Sequence, residues 1–166
     1  MILILFRVTG AGKTTIGKRL SIRLGWRFED GDDYHSVANR RKMQSGIPLT
    51  DEDREPWLQA LHMHIAEFIG HNENAVFACS ALKQKYRDLL AAGFKPNLVR
   101  FALLEAPRNL LEKRIRKRHH PYMNPSLLDS QLATLEVPAG IWRVSVCGTE
   151  EDAVEQLLKH LKVAAE

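Results

Sequence analysis

The chain predicts an α/β fold: a mainly parallel sheet of five strands with helices on both faces. Three observations lead there. An unbroken apolar run from Met1 to Phe6 meets a glycine turn and then a helical pattern. Short apolar runs recur downstream, separated by helix-length segments, and this alternation asks for parallel pairing through right-handed crossovers. The length of 166 residues is enough for one sizeable core and short for two, so a single domain over 1–166 is expected.

Composition narrows the function classes. Hydrophobic residues at 45% and charged residues at 27% are ordinary for a soluble globular protein, and indicate neither disorder nor a membrane partner. The Met1–Phe6 run is shorter than a signal peptide's apolar region, has no basic segment before it and no cleavage site after it, so a cytoplasmic protein is expected. Cys79 and Cys147 both fall in apolar, strand-like runs without metal spacing, which reads as two buried thiols. A net charge of +4 and a pI near 9.2 suit either nucleic acid or anionic substrates. The densest basic run, Lys113 to His120, has no interleaved aromatic residues to stack on bases, so no nucleic-acid partner is expected.

The first strand feeds Gly10-Ala11-Gly12-Lys13-Thr14-Thr15, and a helix follows with Ile16, Leu20, Ile22 and Leu24 marking its inward side. The first turn of such a helix carries unpaired amides and the positive end of its dipole, the makings of a phosphate-binding loop. Lys13 would reach the β/γ-phosphates and the Thr14 hydroxyl would take a magnesium position. The plainer reading is a glycine-rich helix start that binds nothing. The pattern asks for glycine five residues before Gly12, where this chain has Arg7. A side chain there takes positive φ less readily, and its bulk is expected beside the phosphates.

Gly25 signals the end of that helix, and Trp26-Arg27-Phe28-Glu29 alternates like a short strand running into Asp30-Gly31-Asp32-Asp33-Tyr34-His35. Ligands in open α/β sheets sit beyond the carboxyl ends of strands. Asp30 and Asp32 therefore fall near the phosphate loop, one suited to magnesium's water and the other to a hydroxyl proton. An ordinary acidic turn would read the same way. A basic helix through Asn39-Arg40-Arg41-Lys42-Met43, ending at Gly46, either carries cations to the cleft or is a solvated face. Thr50-Asp51-Glu52-Asp53 has a capping-box outline, opening a helix through Trp57, Leu58, Leu61, Ile65 and Phe68 to Gly70. His62 and His64 point in different directions on that helix, which argues against a metal pair.

Ala75–Cys79 reads as a second buried strand, leaving into Ser80-Ala81-Leu82-Lys83 and a helix from Gln84 to Ala92, so that Ser80, Lys83 and Arg87 are candidates to face the cleft. Another strand follows over Leu98–Leu104, then a helix started by Pro107 that carries the basic run at its end. The prolines between His119 and Pro125 suggest either a closing lid or a surface loop, with Ser126 capping a helix from Leu127 to about Leu135. A last strand over Ile141–Val146 and an amphipathic helix over Glu151–Val163 complete the alternation.

Over nearly its whole length the chain resembles the gluconokinases, small ATP-dependent kinases of the shikimate-kinase-like group. The resemblance rests on GAGKTT, DGDDYH, NRRKMQSGIPLTDEDREPWL, CSALKQKYRD and SQLATLE in that order. It implies a three-layer P-loop kinase fold with strand order 2-3-1-4-5 and a small lid near 118–128. It implies transfer of the ATP γ-phosphoryl group to the 6-hydroxyl of D-gluconate with Mg2+, in a homodimer. Carried across, it places ATP on Gly10, Ala11, Gly12, Lys13, Thr14, Thr15 and Arg114, and the metal on Thr14 and, through water, Asp30. Lys13, Asp32 and Arg118 become the catalytic residues. Asp32, His35, Lys42, Arg54, Lys83 and Arg87 become the candidates to hold gluconate. Arg7, the His120-Pro121 pair in the lid stretch and the QLATLE variant of QFETLE depart from the family pattern. These departures motivate two further readings: a weakened family member acting as a nucleotide or sugar-acid binding protein, and a kinase for another hydroxy acid such as shikimate.

Overall fold

The computed structural model describes residues 1–117 and 125–164. Its five strands, β1 (Ile2–Phe6), β2 (Arg27–Asp30), β3 (Ala75–Cys79), β4 (Val99–Glu105) and β5 (Trp142–Ser145), form one parallel sheet in the order β2-β3-β1-β4-β5. The helices are α1 (Lys13–Leu24), α2 (Val37–Gln44), α3 (Asp51–Gly70), α4 (Gln84–Ala91), α5 (Arg108–Lys117), α6 (Pro125–Thr134) and α7 (Glu150–Val163). Central β1 shows why the sheet is a middle layer. Leu3 and Leu5 join a core with Ile16, Leu20, Leu111, Val154 and Leu157, under α1, α5 and α7. Ile2, Ile4 and Phe6 face the opposite core with Trp57, Leu61, Ile65 and Leu90, under α3 and α4. Period-two alternation thus serves two apolar faces at once, which is why β1 reads as continuous hydrophobe.

Local signals place most boundaries. Gly25 closes α1 at φ 67°, with Trp26 N–H donating to the Ser21 carbonyl at 2.9 Å. Thr50 and Asp53 form a reciprocal capping box at the head of α3, and Thr149 and Asp152 another at α7. The expected cap at Ser126 is not one: α6 already begins at Pro125. Two burial expectations also change. Ile22 is 80% exposed, because Ile16, Gly17, Leu20 and Ser21 make the inward stripe and residue 22 falls across the helix from Leu20. Cys147 is exposed beyond the end of edge strand β5, while Cys79 is buried in β3, where burial pushes its thiol up to about 12. Among the described residues no helix is long and apolar enough to cross a membrane.

Candidate active site

The carboxyl ends of β1, β2 and β3 open into one cleft of about 490 Å³. Gly10 and Gly12 take φ of 79° and 91° as the chain turns from β1 into α1. A side chain at Gly10 would also run into Ile115 and the Leu111 carbonyl of α5. Among the described residues no side chain caps α1, which leaves the amides at its head directed at the cleft. The Lys13 ammonium reaches back over the loop, 3.0 Å from the Arg7 carbonyl and 3.3 Å from that of Val8.

Arg7 does not crowd this loop. Its φ is not positive, and its guanidinium turns away to donate to the Ala106 carbonyl at 3.0 Å, outside the cleft lining. The expected bulk beside the phosphates is therefore absent, because a carbonyl beyond the neighbouring strand β4 holds the charge.

Opposite the loop, the Thr14 hydroxyl donates to Asp30 at 2.8 Å. The other oxygen of Asp30 accepts the Asp32 N–H at 3.1 Å, starting a 3₁₀ turn over Gly31–Tyr34. This turn fits only because residue 31 is glycine; a Cβ there would lie 2.8 Å from the Ala78 carbonyl of β3. The Asp32 carboxylate projects into the cleft with 71% of its side chain open to solvent. The surrounding cleft walls raise its pKa by desolvation, Lys13 opposes them, and Asp30 and Asp33 add to the rise. The open side chain keeps that direction without making the group a buried acid.

Beneath Asp32, His35 is buried and stacked on Trp57. Burial first, then the charges of Arg54 and Arg40, push its pKa from 6.5 down to about 4, so it is neutral near pH 7. Its Nδ1 is buried with no hydrogen-bond partner among the described residues. Arg40 donates to the carbonyls of His35 and Asp33 at 3.1 and 2.6 Å, and Arg54 to that of Leu49. Both guanidiniums and Ser80 line the cleft. The result is a glycine-rich loop facing a wall that carries the carboxylates of Asp30, Asp32 and Asp33, one neutral imidazole and two guanidiniums.

The shikimate kinase family model matches residues 9–139. A gluconokinase of Gluconobacter oxydans (strain 621H) is 40% identical over 163 residues, covering 96% of this chain and 90% of its own. A probable gluconokinase of Dictyostelium discoideum is 38% identical, covering 98% and 86%. The chain belongs to the gluconokinase family. A solved gluconokinase structure from Sinorhizobium meliloti 1021 superposes with a TM-score of 0.88 at 36% identity, covering 98% of this chain and 93% of that one.

Within this gluconokinase-family cleft, Gly10, Gly12, Lys13, Thr14, Asp30, Asp32, His35 and Arg54 come together as expected from sequence. Ala11 is fully buried under the loop, and neither it nor Thr15 has a side chain in the cleft lining. Four expected cations are turned elsewhere. Lys42 pairs with Asp53 at 2.7 Å, and Lys83 with Asp51 at 2.9 Å. Arg87 is buried behind the wall, holding the Ala81, Leu82 and Glu136 carbonyls. Arg114 braces the loop from outside, donating to the Val146 carbonyl at 2.8 Å and that of Ala11 at 3.4 Å. In each case an anion or carbonyl brought close by the fold takes the charge. Arg118, His120, Pro121 and most of the expected lid lie outside the described residues.

Sequence reasoning missed three contributors. Arg40 was one cation among three in its helix, and spacing alone does not separate it from Arg41 and Lys42. Trp57 reads as core; it is core, and also the cleft floor. Gln131 of α6 accepts the Thr9 N–H of the phosphate loop at 2.8 Å, and only its place in the SQLATLE motif marked it.

Proposed function

We propose that the protein transfers the γ-phosphoryl group of ATP to the 6-hydroxyl of D-gluconate, giving 6-phospho-D-gluconate. The observation that carries this reading is the shared cleft: the loop amides and Lys13 face Asp32, His35, Arg40 and Arg54 across it. The triphosphate lies on the amides of Gly10 to Thr15, with Lys13 spanning its β/γ end. Gluconate offers hydroxyls along its length and a carboxylate at one end. Arg40 and Arg54, each tied to backbone carbonyls through part of its guanidinium, keep further N–H donors for the carboxylate, and neutral His35 and Ser80 suit hydroxyls. Asp32 accepts the 6-hydroxyl proton as the new O–P bond forms and the bond to the β-phosphate oxygen breaks, releasing ADP. The transition state is loose, so orientation and charge neutralisation supply most of the rate.

The Thr14 hydroxyl and Asp30 carboxylate, 2.8 Å apart, are an all-oxygen pair that fits Mg2+ arriving with the nucleotide and keeping several waters. No group of three or more His, Cys, Asp or Glu among the described residues is placed to hold a metal ion by itself, in keeping with an ion shared with phosphates. When bound, Mg2+ neutralises charge on the β- and γ-phosphates. Arg118 belongs to the same reading as a donor near the transferring group. The family resemblance supports a cytoplasmic homodimer, and sedimentation of the purified protein checks the dimer.

Steady-state ADP release with ATP, Mg2+ and gluconate tests the proposal. Lys13→Ala should lower kcat by about a hundredfold or more. Wild-type turnover no faster than that variant overturns the reading, and a panel including shikimate decides the acceptor.

A further inference from the structure

The stretch Gln131-Leu132-Ala133-Thr134-Leu135-Glu136 is pinned at its two ends to parts of the cleft that serve different substrates. At one end Gln131 holds the Thr9 N–H of the phosphate loop. At the other, the Glu136 N–H donates to the Leu82 carbonyl at 2.8 Å, and its carboxylate accepts the Gln84 N–H. Its carbonyl accepts from Arg87 at 2.9 Å. Buried Arg87 also gathers the Ala81 and Leu82 carbonyls and lies over the Phe6 ring, 4.8 Å from its centroid. Leu135, between the two ends, packs against both cores. The loop so held is unusual: Ala81 takes φ 32°, a left-handed value that a side chain adopts only where its surroundings impose it. Ser80 beside it lines the cleft.

We propose that Gln131 and Glu136 are positioning residues at the ends of a coupling bar, through which nucleotide on the phosphate loop sets the 80–84 loop on the acceptor side. This rests on the kinase reading above. Nucleotide that draws the loop amides toward its phosphates shifts the Thr9 contact, and the last turn of α6, with Leu135 tied back to the Gln131 carbonyl at 3.1 Å, passes the shift through Glu136 to the 80–84 backbone.

Amide hydrogen exchange of the full chain, with and without a non-hydrolysable ATP analogue and Mg2+, tests this. In the wild type the analogue should slow exchange across residues 80–84 about fivefold, the worth of one hydrogen bond. Gln131→Leu and Glu136→Ala should each abolish that slowing while the analogue still binds. In kinetics, saturating gluconate should lower the KM for ATP in the wild type and leave it unchanged in both variants. Should Gln131→Leu fail to fold, Glu136→Ala, at the exposed end, gives the same readout. Slowing that persists in the variants, or is missing from the wild type, overturns the coupling. Wild-type slowing without gluconate turnover overturns the acceptor assignment alone.

Discussion

The imidazole of His35 lies flat on the indole of Trp57, ring centroids 4.2 Å apart and planes 15° from parallel. The indole N–H donates to the Gly31 carbonyl at 2.7 Å, so one aromatic pair fastens the acidic turn after β2 to helix α3. This side of the cleft is thereby built on packed core rather than on a free loop.

That stack makes stability pH-dependent. Folded His35 takes a proton only near pH 4, whereas the unfolded chain takes it near 6.5. Its contribution is therefore complete above pH 6.5 and is lost as pH falls from 6.5 to 4, by up to about 3 kcal/mol. Asp32, whose oxygen lies 3.9 Å from the ring, titrates with the opposite sign, so a difference measurement isolates the histidine. His35→Phe keeps a ring on Trp57 without a titrating group. Urea unfolding at a series of pH values should show a flatter profile for this variant between pH 4 and 6.5; parallel profiles would remove His35 as the cause.

Arg7 donates to Ala106 and stays out of the cleft, while its own carbonyl receives Lys13. Arg7→Gly keeps that carbonyl and loses the strut. Calorimetry should find ATP affinity within about twofold of wild type, together with a stability loss of about 1–2 kcal/mol. Tighter ATP binding would show that the guanidinium does obstruct the phosphates.

Gly31 sits where a Cβ would come within 2.8 Å of the Ala78 carbonyl, a backbone atom that cannot swing aside. Gly31→Ala should cost about 1–3 kcal/mol in urea unfolding. Because the shifted turn carries Asp32 and His35, the KM for gluconate should rise more than the KM for ATP. An unchanged KM for gluconate would separate the turn from acceptor binding.

Much of this molecule was legible in local pattern. The apolar run of β1, the glycine turn into α1, the Thr50–Asp53 cap and the acids leaving β2 are short-range features, set by backbone sterics and by hydrogen bonds a few residues apart. The strand order came through the family resemblance carried by five motifs.

What stayed illegible was the direction of long, charged side chains. Arg7, Lys42, Lys83, Arg87 and Arg114 sit in motifs that place them close to the cleft. Their stems are flexible enough to be claimed by Ala106, Asp53, Asp51, Glu136 and Val146. The sequence by itself determined the alternation, the phosphate loop and the acids beside it, because each follows from neighbours along the chain. Only the tertiary structure decided which cations face the cleft, because a guanidinium goes to the nearest well-placed oxygen, and folding alone brings those distant oxygens into reach.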